Sequence, residues 1–159
     1  MGEDLKLARP YFVLLVIFAI ARFLQGPLGV PYGRGHHAFS IVTLTALSCV
    51  YYGVFVRRWH GYRLMQAIFL AFLLGVISQL VVLALTLLSY ALSLETYFNH
   101  PVALNVRPLL EADVQPGLWQ PVELGTALFN RLGGLVGNSI FAGIAGAIGW
   151  TIGGVLPER

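Results

Sequence analysis

From Leu64 to Phe98 the sequence contains no proline and a single charge, Glu95. As an α-helix this stretch would be roughly 50 Å long at 1.5 Å per residue. A bilayer's hydrocarbon core is about 30 Å thick and needs roughly 20 mainly apolar residues per crossing. Three further stretches, at about 11–28, 38–56 and 135–156, are apolar enough to consider as crossings. Composition agrees: 57% of residues are apolar and 11% charged, against about a quarter charged in soluble domains. In hydrocarbon each backbone amide needs a partner within its own segment, so the stretches must be helices. Strand-type alternation is absent, which excludes a β-barrel. The expectation is an all-α, polytopic integral membrane protein forming one domain over residues 1–159. Its four-helix transmembrane bundle has spans at about 11–28, 38–56, 64–90 and 135–156. The third helix extends to 98, and an ordered outer loop with an amphipathic segment covers 99–134.

The N-terminus also offers a signal-peptide reading, since Ala19-Ile20-Ala21 resembles a cleavage site. Glu3 and Asp4 offset Lys6 and Arg9 there, so a retained first span is expected. With four spans, Lys6, Arg9, Arg57, Arg58, Arg63 and Arg159 share one side of the membrane. Basic residues accumulate on the cytoplasmic side, so both termini should face inward across a bacterial-type plasma (inner) membrane. Tyr11, Trp59, Tyr62 and Trp150 would then form an inner aromatic belt. Val122 to Leu132 reads as a short amphipathic helix, with Gly133-Gly134 as a hinge before the last span.

Several function classes fall away. A net charge of +3 from ten basic and seven acidic residues is too small and scattered for a nucleic-acid partner. One cysteine, Cys49, cannot form an internal disulfide or a thiolate cluster. No HExxH, GxSxG or phosphate-loop motif occurs. Catalytic and metal residues are therefore not assigned, and no cofactor is required.

The remaining polar and small residues suggest sites. Gly133, Gly137, Ser139, Gly143, Gly146, Gly149 and Gly153 give the last span a small-residue face, on which helices approach closely; that face is expected to receive a neighbouring helix, and its length suggests another subunit. Gln79, Thr86 and Tyr90 form a polar stripe on the third helix, whose amide must find partners inside the bundle. Arg22 either snorkels outward or pairs with an outer acid, Glu95 first among them. His36, His37 and His100 fall on the outer side and could hold a haem or metal. Gly33, Arg34 and Gly35 precede the second span, where helix amides and an arginine could hold a lipid phosphate.

These features lead to a small non-catalytic membrane component, a homo-oligomer or an accessory subunit of a larger complex, in contact with lipids. A small oligomeric channel or transporter is the alternative. A haem-, metal- or quinone-binding redox subunit using the outer histidines is a third reading.

Overall fold

The computed structural model describes residues 6–110, 113 and 120–155. Among the described residues the helices are α1 (Arg9–Gln25), α2 (Tyr32–Gly35), α3 (Ile41–His60), α4 (Leu64–Ala91) and α5 (Leu124–Val155), and there is no strand. Helices α3, α4 and α5 are long and apolar enough to cross a membrane. With 17 residues, α1 spans about 26 Å, somewhat less than a hydrocarbon core.

Local chemistry sets the helix ends. The Ser40 hydroxyl accepts from the Thr43 amide and caps α3. At the other end Gly61 takes a left-handed conformation at φ 64°, which glycine adopts without steric cost. Residues 61–63 then turn the chain directly into α4, where the Gln66 side chain accepts from the Arg63 amide. Expected to reach Phe98, α4 instead stops at Ala91. Ser93 enters the left-handed region at φ 52°, Leu94 N–H donates to Ser89 O and Ser93 N–H to Tyr90 O. This is the paired bonding of a Schellman cap. The chain then folds back over the end of the bundle, burying Thr96, Tyr97, Phe98, Asn99 and His100.

The expected break at Gly133-Gly134 does not occur, since α5 runs unbroken through both. Opening the helix in an apolar environment would orphan backbone amides, a cost of several kcal/mol per group, whereas each glycine costs only about 1 kcal/mol of propensity. Tyr11 is likewise not an interfacial belt residue. It is 1% exposed, and its hydroxyl meets Thr45 Oγ1 at 3.0 Å inside the bundle.

Helices α3 and α5 run in the same direction, with α4 antiparallel and packed against both. Glycines bring them together. A Cβ on Gly149 would lie 2.0 Å from Val50 O, one on Gly53 2.3 Å from Gly146 O, and one on Gly146 2.4 Å from the Ala71 methyl. Gly153 faces Val54, and Gly143 faces Ile68 on α4. Ser139 is 1% exposed against Gly75. The small-residue face expected to receive another subunit is thus filled by α3 and α4 of its own chain, except at Gly133 and Gly137, which have open space around them. Trp150 closes the far end of the seam, its indole donating to Tyr62 O at 2.7 Å with Arg57 stacked on it at 3.7 Å.

These contacts predict opposite responses from two glycines of one helix. Gly149→Leu should cost at least about 3 kcal/mol, the upper end for overpacking, because the blocking atoms are backbone. Gly137→Leu should change stability by no more than about 1 kcal/mol. Unfolding midpoints in mild detergent would compare them, and equal losses would contradict the packing described.

Candidate functional site

At the end of the bundle opposite Trp150, a cavity of about 230 Å³ lies among α1, α2, α3, α4, α5 and the folded-back segment. Arg22 reaches it from the last turn of α1. Its Nη1 donates to His36 O at 2.9 Å and Ala38 O at 3.3 Å, and its guanidinium stands 5.5 Å from the centre of the Tyr97 ring. Arg131 enters from α5. Its Nε donates to Thr86 Oγ1 at 3.0 Å, Nη2 to Phe98 O at 2.6 Å and Nη1 to Ala103 O at 3.5 Å. Among the described residues every hydrogen-bond partner of the two guanidiniums is neutral, and neither meets a carboxylate. The pairing expected between Arg22 and Glu95 does not form. Glu95 is exposed, because its segment presses backbone-first onto Gly26, where a Cβ would lie 2.2 Å from Glu95 O.

The cavity floor adds a third donor. Gln79 is 4% exposed, its Oε1 accepting from Asn138 Nδ2 at 3.1 Å, while its Nε2 has no hydrogen-bond partner. An unpartnered buried amide costs about 1–3 kcal/mol, so an acceptor supplied from outside the chain would relieve it. The polar stripe therefore assembles on one side. Gln79 sits at the floor, Thr86 against Arg131, and the Tyr90 hydroxyl donates to Val122 O beside α5.

Tyr32 makes one wall, its ring stacked on His100 at 4.0 Å and near parallel to His36 at 5.6 Å. Burial pushes the Tyr32 phenol up, while the Arg22 and Arg131 charges pull against that shift. Burial also raises Tyr97, to about 12, so it stays a neutral donor to Val30 O and Pro31 O. Because the Tyr32 ring lies between His36 and His100, the three histidines do not converge; His37 packs on His36 at 3.8 Å. Among the described residues no three His, Cys, Asp or Glu side chains gather closely enough to hold a metal ion.

Gly33, Arg34 and Gly35 form the short helix α2 rather than a phosphate cradle. Arg34 is exposed, and Gly35 is pressed against the Tyr97 hydroxyl, 2.3 Å from where a Cβ would stand. The start of α3 does border the cavity through Ser40 and Ile41, but the arginines beside it are Arg22 and Arg131. Sequence reasoning missed Arg131, Tyr32 and Asn138. The available signal was the spacing of Arg131, Gly134 and Asn138, which share a face only if the helix is continuous through Gly133-Gly134.

The loop beside the cavity is fastened by Arg107 and Asp113, whose guanidinium and carboxylate form two bonds of 2.7 Å, with the Leu110 amide donating to the same carboxylate at 2.8 Å. The Arg107 hydrogen bonds hold Asp113 down at about 2. His100, 3.4 Å from Asp113, is lowered to about 4 because burial outweighs the attraction of that carboxylate.

No family model matches the chain, and no curated protein or solved structure is similar to it.

Acid sensitivity follows from His100. Its folded-state value lies below the ordinary 6.5, so its contribution is complete above about pH 6.5 and is lost as pH falls toward 4. The Asp113 contribution is lost only lower, as pH drops from about 4 through 2. Stability in detergent should therefore decline between pH 7 and 4 in the wild type, and His100→Gln should flatten that decline. An identical slope in both proteins would contradict the assignment.

Proposed function

We propose that this chain is a four-span protein of a bacterial-type inner membrane, with both termini cytoplasmic, that binds an oxyanion in the cavity between Arg22 and Arg131. One observation carries the reading: two guanidiniums and an unpartnered Gln79 amide line one cavity, and among the described residues neither guanidinium is paired with a carboxylate. Unpaired charge near apolar surroundings is expensive, and an anion bound between the arginines offsets it. Guanidinium groups suit phosphoryl and carboxylate oxygens because their N–H donors form a rigid planar fork.

Helix α1, although short, is apolar and ends at Arg22, which fits a fourth crossing with snorkelling at its outer end. Basic residues at the α3–α4 turn support an inward orientation of that turn, which leaves the cavity outside. Binding fits the geometry better than conduction, because below Gln79 the seam closes on Ala71, Gly146 and Gly149. The glycine strip no longer argues for a partner subunit, since α3 and α4 occupy most of it.

Inorganic phosphate tests the anion reading. At tens of millimolar, against matched chloride, it should raise the wild-type unfolding midpoint in detergent by a few degrees, as ligand linkage requires. Arg22→Leu combined with Arg131→Leu should abolish the shift, and Arg131→Lys should keep part of it. A shift that survives loss of both arginines would contradict the proposal.

A further inference from the structure

Resting on that oxyanion reading, we infer that the anion is the phosphoryl group of a membrane lipid, which enters sideways between α3 and α5 and leaves its acyl chains outside. Three observations support a membrane-borne source over a soluble one. The first is depth. Gln79 lies twelve residues before the end of α4 at Ala91, roughly 18 Å along the helix, so the cavity floor sits below the level where the hydrocarbon begins.

The second is the position of the mouth. Among the lining residues only Val42 on α3 and Asn105 on the outer loop are exposed. A small space of about 10 Å³ lies next to it among α3, α4 and α5, with Val42, Ala46 and Phe141 on its α3 and α5 sides and Ser78 and Gln79 on its α4 side. Val42, which lines the cavity, is 38% exposed and Phe141, beside it across the small space, 51%, so the α3–α5 edge is apolar and faces lipid. Beneath them the glycine contacts of Gly53 and Gly149 shut the seam. Val42 thus gives the cavity an apolar, lipid-facing edge on the α3–α5 side, next to the polar edge that Asn105 forms on the loop.

The third is size. About 230 Å³ is smaller than the roughly 300–1,000 Å³ usual for whole small-molecule ligands. It accommodates a phosphoryl group with a few further atoms and excludes acyl chains. Donors approach from α1, α4 and α5, three directions that suit a tetrahedral phosphoryl group better than a planar carboxylate.

Native mass spectrometry of the full chain released from detergent separates the sources. The probes are dioleoyl phosphatidic acid, glycerol 3-phosphate as the same head without chains, and dioleoyl phosphatidylcholine as the same chains with a blocked, zwitterionic head. One phosphatidic acid should bind at a concentration at least tenfold below either of the others. Arg22→Leu with Arg131→Leu should remove that preference, and Phe141→Ser on the α3–α5 edge should weaken phosphatidic acid several-fold while leaving glycerol 3-phosphate unchanged. If glycerol 3-phosphate binds as tightly as phosphatidic acid, and does so through the arginines, the lipid source is overturned and the oxyanion reading stands. If the arginine variant binds phosphatidic acid like wild type, or phosphatidylcholine matches phosphatidic acid in that variant as in the wild type, both readings fall. The circular dichroism of each variant, checked for retained helix content, keeps loss of binding distinct from loss of fold.

Discussion

A positive charge placed against hydrocarbon must find acceptors, and the half of this bundle away from Trp150 is arranged around two such charges. Arg131 projects from the third turn of a continuous apolar helix, and its acceptors are the Thr86 hydroxyl and two carbonyl oxygens of a segment that has turned back over the bundle. That segment turns because α4 ends at Ala91, seven residues before the apolar run is exhausted at Phe98, and a left-handed Ser93 follows. The Phe98 carbonyl thereby reaches Arg131, and the Tyr97 ring stands near Arg22. Neutral acceptors satisfy donors but leave the charge uncompensated. The cavity between the two guanidiniums is where compensation can enter.

The half that ends at Trp150 solves a different problem. Helices in lipid gain little from burying apolar side chains against one another, so close backbone contact must hold them together. Gly53, Gly146, Gly149 and Gly153 supply it along α3 and α5, and Ala71 completes it from α4. These contacts set the spacing of α3 and α5 where they meet; toward the other end Gly133 and Gly137 have open space around them, and Gly134 lines the cavity. The tight half and the open half thus share two helices, and the position of the cavity follows from where the glycine contacts stop.

Much of the fold was legible in the sequence because hydrophobic length is a direct signal of membrane helices. Three long apolar helices appear where three of the apolar stretches lie. The helix breaks were not legible. Gly133-Gly134 reads as a hinge only if an exposed backbone can bond to water, which an apolar setting forbids. Conversely, nothing in Leu92-Ser93-Leu94 announces a helix end, since serine rarely adopts a left-handed conformation. For the site, Gln79 and Thr86 were visible as costly polar groups within a span. Arg131 was hidden by the assumed hinge, because its relation to Asn138 depends on helical phase. The Arg22–Glu95 pair failed for a reason of packing: the segment carrying Glu95 is held backbone-inward against Gly26.

The central claim is that the space between Arg22 and Arg131 holds an anion. Crystals of the protein grown from lipid and soaked in selenate would test it through the anomalous signal of selenium, a direct marker for a tetrahedral oxyanion. The account predicts a peak inside the cavity, within hydrogen-bonding distance of both guanidiniums and of Gln79 Nε2. A cavity holding only water, with selenate bound instead at exposed basic residues such as Arg34 or Arg58, would contradict it.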